Sequence, residues 1–219
     1  MKIIVFGTEQ LSSLAWYCLT HDSPHEVVGF TVDGQFLDRD RLHDLPIVPF
    51  EEVENRFSPD DFGMLVPLGY RKVNGLRAER YRQGKEKGYR FISYVSSRAS
   101  TWPDLRLGEN CMIYEHAAIL PFVEIGDNVM IRSGSHISHH ARIKDHCFIA
   151  SHAVVAGGVT VEPYCFLGLN STIRDGITVA ARCVIAAGAL VVKDTEEDGI
   201  YMGVPATRSQ LRSHEMERF

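Results

Sequence analysis

The sequence predicts two parts, a small α/β domain with a Rossmann-like parallel sheet followed by a parallel β-helix of hexapeptide repeats. Three observations predict it. From Leu107 to Val191 every sixth residue is Leu, Ile or Val, for fifteen consecutive positions. A second register, four residues further on, is mostly small: it runs from Cys111 and Ala117 to Cys183 and Ala189, and only Ile177 is bulky. Before this stretch, residues 1–95 alternate β-branched runs with helical spacings. A period of six fits neither a helix repeating every 3.6 residues nor a strand alternating every two, so it belongs to a larger repeating unit.

In order, residues 2–6 form a β-branched and aromatic run that stops at Gly7-Thr8, and residues 9–20 place Leu11, Leu14, Ala15, Cys18 and Leu19 at helical spacing. Residues 26–32 form a second strand ending at Asp33-Gly34, and residues 45–53 a short strand leading into a helical turn. Residues 62–68 make a third strand stopping at Gly69, residues 74–87 a basic helix, and residues 91–95 close the domain. Gly7 then lies at the first strand-to-helix turn, where parallel α/β sheets bind ligands. There is no G-x-G-x-x-G at this turn, so dinucleotide binding is not supported. Arg71, Lys72, Arg77, Arg80 and Arg82 are candidates to meet a diphosphate, or simply a solvated helix face.

Residues 96–106 form the entry to the coil, residues 107–206 the coil, and residues 207–219 a charged tail expected as a short helix or a frayed end. Each hexapeptide supplies one short strand and one corner. Three of them complete a turn, and turns stack at about 4.8 Å with backbone hydrogen bonds along the axis. The aliphatic residue fills the interior and the small one fits the corner. Cys111, Cys147, Cys165 and Cys183 fall in the small register and read as buried small hydrophobes on one wall, with Cys18 in the helical core.

A net charge of −5 without a Lys/Arg run argues against a nucleic-acid partner. No apolar run approaches the roughly 18–20 residues that span a bilayer, and the opening is too short for a signal peptide. Five cysteines fit poorly with a secreted disulfide framework, so a soluble cytoplasmic protein without membrane attachment is expected.

Six of the ten histidines lie between residues 116 and 152, five of them at positions 136, 139, 140, 146 and 152. None occupies the aliphatic register, so they are expected outside the core, on a belt that one coil presents to another. Two chemistries use such a belt. A neutral imidazole can take a proton from an amine or hydroxyl nucleophile. Alternatively, three histidines can bind zinc, as in hexapeptide-coil carbonic anhydrases, whose ligands lie one His, a second 36 residues on and a third about five residues beyond. His116 and His152 satisfy the first step, but the third position is Gly157, so no metal is expected.

The runs Ser135-His136-Ile137-Ser138-His139-His140-Ala141-Arg142-Ile143, Cys165-Phe166-Leu167-Gly168-Leu169-Asn170-Ser171 and Gly203-Val204-Pro205-Ala206 resemble the bacterial hexapeptide-repeat sugar acetyltransferases. These include the sialic-acid O-acetyltransferases and the nucleotide-linked amino-sugar N-acetyltransferases of the bacillosamine and perosamine type. The resemblance covers the whole chain. It implies a left-handed coil after a nucleotide-sugar domain, a homotrimer with active sites between neighbouring coils, acetyl-CoA as acetyl donor and a nucleotide-linked amino-deoxysugar as acceptor. In that family the base stands two residues after an interior aliphatic, which is His139 here, and the acidic residue expected next to it is His140. The division of labour between the two is open. The family's second histidine, at the acetyl thioester, maps to Phe148; His146 or His152 could take its task, with Asn170 orienting. The resemblance further implies CoA contacts at Leu169, Ala187, Gly203 and Pro205, and substrate contacts at Thr8, Asp33, Gly69, His136 and His152. Sugar O-acetylation is the alternative reading, and a zinc hydratase or a non-catalytic coil the remaining ones.

Overall fold

The computed structural model describes residues 1–205 and 207–215. Six strands form the first sheet: β1 (Lys2–Phe6), β2 (Glu26–Val32), β3 (Arg41–Leu42), β4 (Leu45–Pro49), β5 (Phe62–Leu65) and β6 (Arg90–Phe91). Their order is β3-β4-β2-β1-β5-β6, and only the β3–β4 pair is antiparallel. β1 takes the middle because Ile3, Ile4, Val5 and Phe6 are all buried, as a strand covered on both faces requires. Helices α1 (Gln10–His21) and α3 (Gly75–Glu86) pack on this Rossmann-like sheet, α1 through Ser12, Ala15 and Leu19, and a single turn, α2 (Val53–Arg56), follows β4. The strand order reverses at β1, which opens a crevice beyond Gly7-Thr8.

The coil is a left-handed parallel β-helix with three sheets. Face 1 carries Met112–Ile113 and its equivalents eighteen residues apart, face 2 Ala118–Ile119 and its equivalents, and face 3 Arg106–Leu107 and its equivalents. From Ile113 to Val191 the aliphatic register is at most 4 % exposed, and each such side chain contributes about 2 kcal/mol by leaving water. The small register, expected at the corners, lies inside the same core. The corner itself is made by the residue just before it. All fourteen positions from Asn110 to Gly188 at intervals of six have positive φ, among them Asn110, Gly134, His140, His152, Gly158 and Asn170. Asn, His and Gly tolerate this left-handed conformation better than other residues.

The thiols of Cys111, Cys147, Cys165 and Cys183 donate to carbonyls of the next turn at 3.0–3.2 Å. Burial pushes Cys111 up to about 12 and raises Cys165 and Cys183 as well, so these thiols are inert packing groups.

Three expectations about element ends change. β5 stops at Leu65, because Asn110 of the coil takes over the backbone of Val66, accepting from its N–H at 2.7 Å and donating to its carbonyl at 3.3 Å. Residues 91–95 do not all close the small domain: Tyr94–Val95 pairs in parallel with Met112–Ile113 and is the first strand of face 1. Residues 207–219 do not begin as a helix. Thr207–Arg212 is a strand antiparallel to Gly199–Met202, followed by a 3-10 turn at Ser213–Glu215, and it covers the open edge of face 1. Ala206 and residues 216–219 lie outside the described residues.

The α/β domain sits on face 1, where Met112, Met130, Phe148, Phe166 and Val184 join Ile3, Leu19 and Phe30 in one apolar cluster. At the edge between faces 3 and 1 the fully buried Arg77 of α3 ties the domains together. Its guanidinium donates to Asn128 Oδ1 and to the carbonyls of Leu68, Asn128, His146 and Cys147, at 3.0–3.2 Å. No carboxylate bonds to it among the described residues. Burial lowers its pKa to about 10, still charged at neutral pH. A polar ladder runs beside it: Asn110 Nδ2 donates to Asn128 Oδ1 at 2.7 Å, Asn128 Nδ2 to His146 Nδ1 at 2.9 Å, and His146 packs on Tyr164 at 4.6 Å.

Arg77→Met keeps the stem but leaves these carbonyls without a donor. It is expected to cost about 3 kcal/mol in urea unfolding and to separate the two domains' transitions. His146 accepts at Nδ1 and burial lowers its pKa, so the folded state holds it neutral. The unfolded chain then binds its proton first as pH falls below about 6.5, and stability drops. His146→Asn, which keeps an acceptor and suits positive φ, should flatten that part of the stability-versus-pH curve; an unchanged slope would assign it to other groups.

Candidate active site

Two cavities, one of mixed character and one almost wholly apolar, border the turn into α1 and the segment after β5. The more polar one, about 690 Å³, lies in the crevice beyond β1, where Phe36, Leu37 and Leu68 share the lining with Gly7, Thr8, Asp33, Arg71, Lys72 and Arg80. The apolar one, about 620 Å³, runs along face 1 and is lined by Leu11, Tyr70, Phe148, Phe166, Leu169, Ala187 and Met202 among others. Leu11 and Tyr70 line the apolar cavity, and Thr8, Glu9, Leu68, Arg71 and Lys72, within three residues of them in sequence, line the other, so the same two segments border both cavities.

Gly7 shapes the polar cavity, with φ +96° and Ser12 Oγ only 2.5 Å from where a Cβ would stand; that hydroxyl donates to the Phe6 carbonyl. The basic residues divide. Arg71 and Lys72 are exposed at the cavity wall. Arg80 is paired with Asp33 at 2.7 Å in a largely buried ion pair, Arg77 is the buried interdomain tie, and Arg82 pairs with Glu86. A diphosphate in this crevice would therefore meet Arg71 and Lys72. Gly69 is not part of the lining; its carbonyl accepts from Arg77 at 3.4 Å, and a Cβ there would make only ordinary contact with Leu11.

Phe148 lies nearly parallel to Phe166 at 5.7 Å and edge-on to Tyr70 at 5.2 Å, making an aromatic wall in the apolar cavity. Leu169 and Ala187 rise beside it on the edge between faces 1 and 2. Gly203 continues past Met202 with φ +92°, and its carbonyl accepts from Leu190 N–H at 3.1 Å; Pro205 follows, after a cis bond from Val204.

The histidines do not form one belt. His116 and His152 stand on the edge between faces 1 and 2, His139 and His140 on the edge between faces 2 and 3, His146 on the edge between faces 3 and 1, and His136 within face 2. Four of these six, 116, 140, 146 and 152, sit at the positive-φ corner, which explains part of their abundance by conformation alone. His146 belongs to the interdomain ladder and is not available to a thioester. His116 and His152 share an edge that Gly157 does not, and no three His, Cys, Asp or Glu side chains come together as a metal site among the described residues.

His139 is exposed, and its Nδ1 lies 3.1 Å from Nδ1 of His140. Gly157, one turn on, leaves the room its ring occupies: a Cβ there would stand 2.7 Å from Cε1 and 3.0 Å from Nε2. Gly134 does the same for His152, at 2.4 Å. Gly134, Tyr70 and Met202 escaped sequence reasoning, and Gly157 and Leu11 were read only as a missing zinc ligand and a helical apolar position, although a glycine eighteen residues from a histidine was a legible signal. Neither cavity is lined by His136, His139, His140 or His152.

Residues 104–139 match the family model of the bacterial transferase hexapeptide (six repeats), and residues 158–193 that of the hexapeptide repeat of succinyl-transferase. No curated protein matches the chain in sequence. Among solved structures, a variant of perosamine N-acetyltransferase from Caulobacter crescentus in complex with CoA and GDP-perosamine superposes with a TM-score of 0.86 at 22% identity, over 95% of this chain and 97% of that one. The acetyltransferase domain of PglB from Neisseria gonorrhoeae in complex with acetyl coenzyme A gives 0.81 at 17%, over 95% and 98%. WeeI from Acinetobacter baumannii gives 0.82 at 16%, over 95% and 100%. The fold is the one these proteins share. No helix among the described residues is long and apolar enough to cross a membrane.

Proposed function

We propose that the chain is an acetyl-CoA-dependent N-acetyltransferase acting on a nucleotide-linked amino-deoxysugar. The observation that carries the reading is the adjacency of the two cavities. A crevice with two cations that form no ion pair among the described residues suits a nucleotide diphosphate, and an apolar cavity bordered by the same segments suits a deoxysugar and the acyl end of a pantetheine arm. The fold shared with proteins whose complexes contain CoA and GDP-perosamine supports the same ligands here.

Thr8 and the Gly7 turn, with Arg71 and Lys72, would hold the nucleotide diphosphate. The Arg80–Asp33 pair holds the crevice wall. Along the coil, Phe148, Leu169 and Ala187 would line the CoA arm, with Gly203 and Pro205 toward its nucleotide end. The sugar amine attacks the thioester carbonyl carbon, a C–N bond forms, and the C–S bond breaks as coenzyme A leaves. Nε2 of His139 takes the amine's proton and returns it to the leaving sulfur, while a backbone N–H of the coil stabilises the oxyanion. His136 and His152 would face the sugar.

One chain does not bring its own His139 to its own cavities, since the edge that carries it lines neither. We therefore assign the working form as a homotrimer in which His139 of one copy addresses the cavity of the next.

Acetyl-CoA with UDP-, dTDP- and GDP-linked 3- and 4-amino sugars should release free thiol for one of them; no release with any amine overturns the reading. Release with hydroxyl sugars alone makes it an O-acetyltransferase. His139→Asn should retain the fold and lose roughly a hundredfold or more in kcat. Co-expressing His139→Asn chains with Ala187→Trp chains, each inactive alone, should restore turnover in trimers of three times the 24.6 kDa chain mass. Failure to restore any would place base and cavity in the same chain. Arg71→Ala with Lys72→Ala should weaken nucleoside-diphosphate binding at least tenfold in calorimetry and reduce its salt dependence.

A further inference from the structure

We infer that His140 is a positioning residue that sets the tautomer of His139, the two working as an imidazole–imidazole dyad; the catalytic sense of this rests on the acyl-transfer reading above. The two Nδ1 atoms are 3.1 Å apart and the rings nearly perpendicular, at 85°. A neutral imidazole carries one N–H, so one Nδ1 donates and the other accepts. When His139 donates from Nδ1, its Nε2 keeps a lone pair and can take the nucleophile's proton. When His140 donates, the hydrogen of His139 sits on Nε2 and that nitrogen is no base.

A neutral His140 with its hydrogen on Nε2 accepts, and so permits the reactive arrangement. A protonated His140 can only donate, and so enforces the other. His140 therefore decides whether His139 presents a lone pair, the task a carboxylate performs beside many catalytic histidines. No carboxylate bonds to either ring among the described residues. The charged groups around His140 are Asp104 and Arg106, Glu124, and Arg142 of its own turn, which line a cavity of about 260 Å³ with it. Glu124 is engaged by Arg106 at 2.9 Å and faces Arg142 at 3.7 Å.

The geometry is built by neighbours. His140 occupies the positive-φ corner with φ 60°, which turns the chain between the two histidines so that their Nδ1 atoms meet. Phe122, the same corner one turn earlier, packs against its ring at 4.8 Å. On the other side the missing side chain of Gly157 leaves the space that His139 fills.

The test is ¹⁵N NMR of the histidine side chains at about pH 8, where free imidazoles are neutral, on wild type, His140→Gly, His140→Asn and Gly157→Ala, with kinetics on each. Glycine already serves this corner at Gly134, Gly158, Gly176 and Gly188, so His140→Gly removes the ring without backbone strain. Wild type should show His139 protonated at Nδ1. His140→Gly and Gly157→Ala should move that hydrogen to Nε2, and kcat should fall at least tenfold with KM within about twofold. His140→Asn, which suits the corner and offers an acceptor oxygen, should keep the Nδ1–H form and most of kcat. An Nδ1–H form that persists in His140→Gly, or an unchanged kcat there, overturns the dyad. If wild type transfers no acyl group to any acceptor, the proposed function fails, yet the tautomer shift still decides whether His140 sets the hydrogen of His139.

Discussion

The buried guanidinium of Arg77 is the constraint on which the arrangement of the molecule depends. It has no counter-charge among the described residues, and it persists because backbone and side-chain oxygens of both domains converge on it. Such a group is costly wherever a partner is missing, so it accepts only one docking of the α/β domain. The polar ladder of Asn110, Asn128 and His146 continues the same demand along the edge, and Asn74 adds bonds to the carbonyls of Tyr164 and Cys165 at 3.0 Å. At the opposite end of the interface, Asp22 accepts from Tyr94, Ser96 and Ser97, which holds its carboxyl well below the usual range. The apolar contacts on face 1 supply area, and these polar contacts supply register.

The docking creates the apolar cavity, whereas the crevice beyond β1 is built by the α/β domain alone. Face 1 alone is a row of apolar side chains, and the crevice beyond β1 alone is an open switch point. Their junction, with Leu11 and Tyr70 on one side and Phe148 and Leu169 on the other, places an apolar cavity beside the more polar one. The edges left free by the docked domain carry the exposed imidazoles. A rigid coil spaces these edges by its own geometry, and the exposed imidazoles stand outside the lining of both cavities.

Much of this was legible as pattern. The six-residue period carried the coil, its core and the outward placement of every histidine between 116 and 152. Gly7 at the first strand-to-helix turn marked the crevice. The division of the five basic residues was not legible, because a helical spacing does not say which arginine meets an asparagine ladder of another domain. The apparent histidine belt misled for a related reason. Proximity in a sequence of this period spreads residues over three edges, and a corner that favours positive φ recruits His, Asn and Gly regardless of chemistry. Gly157 first entered as a missing metal ligand; in the folded coil it is the space in which His139 stands.

The sequence by itself determined a two-part chain, a hexapeptide coil with an aliphatic interior and small cysteines inside it, because these are local and periodic properties that repeat every six residues. The tertiary structure decided where the domains meet, that Tyr94–Val95 belongs to the coil, that Thr207–Arg212 seals its edge, and that His146 holds an interface while His139 faces His140. The domain docking and the place of His146 depend on contacts between residues eighteen, seventy or ninety positions apart. Only the stacking of turns and the docking of one domain on the other brings such residues together.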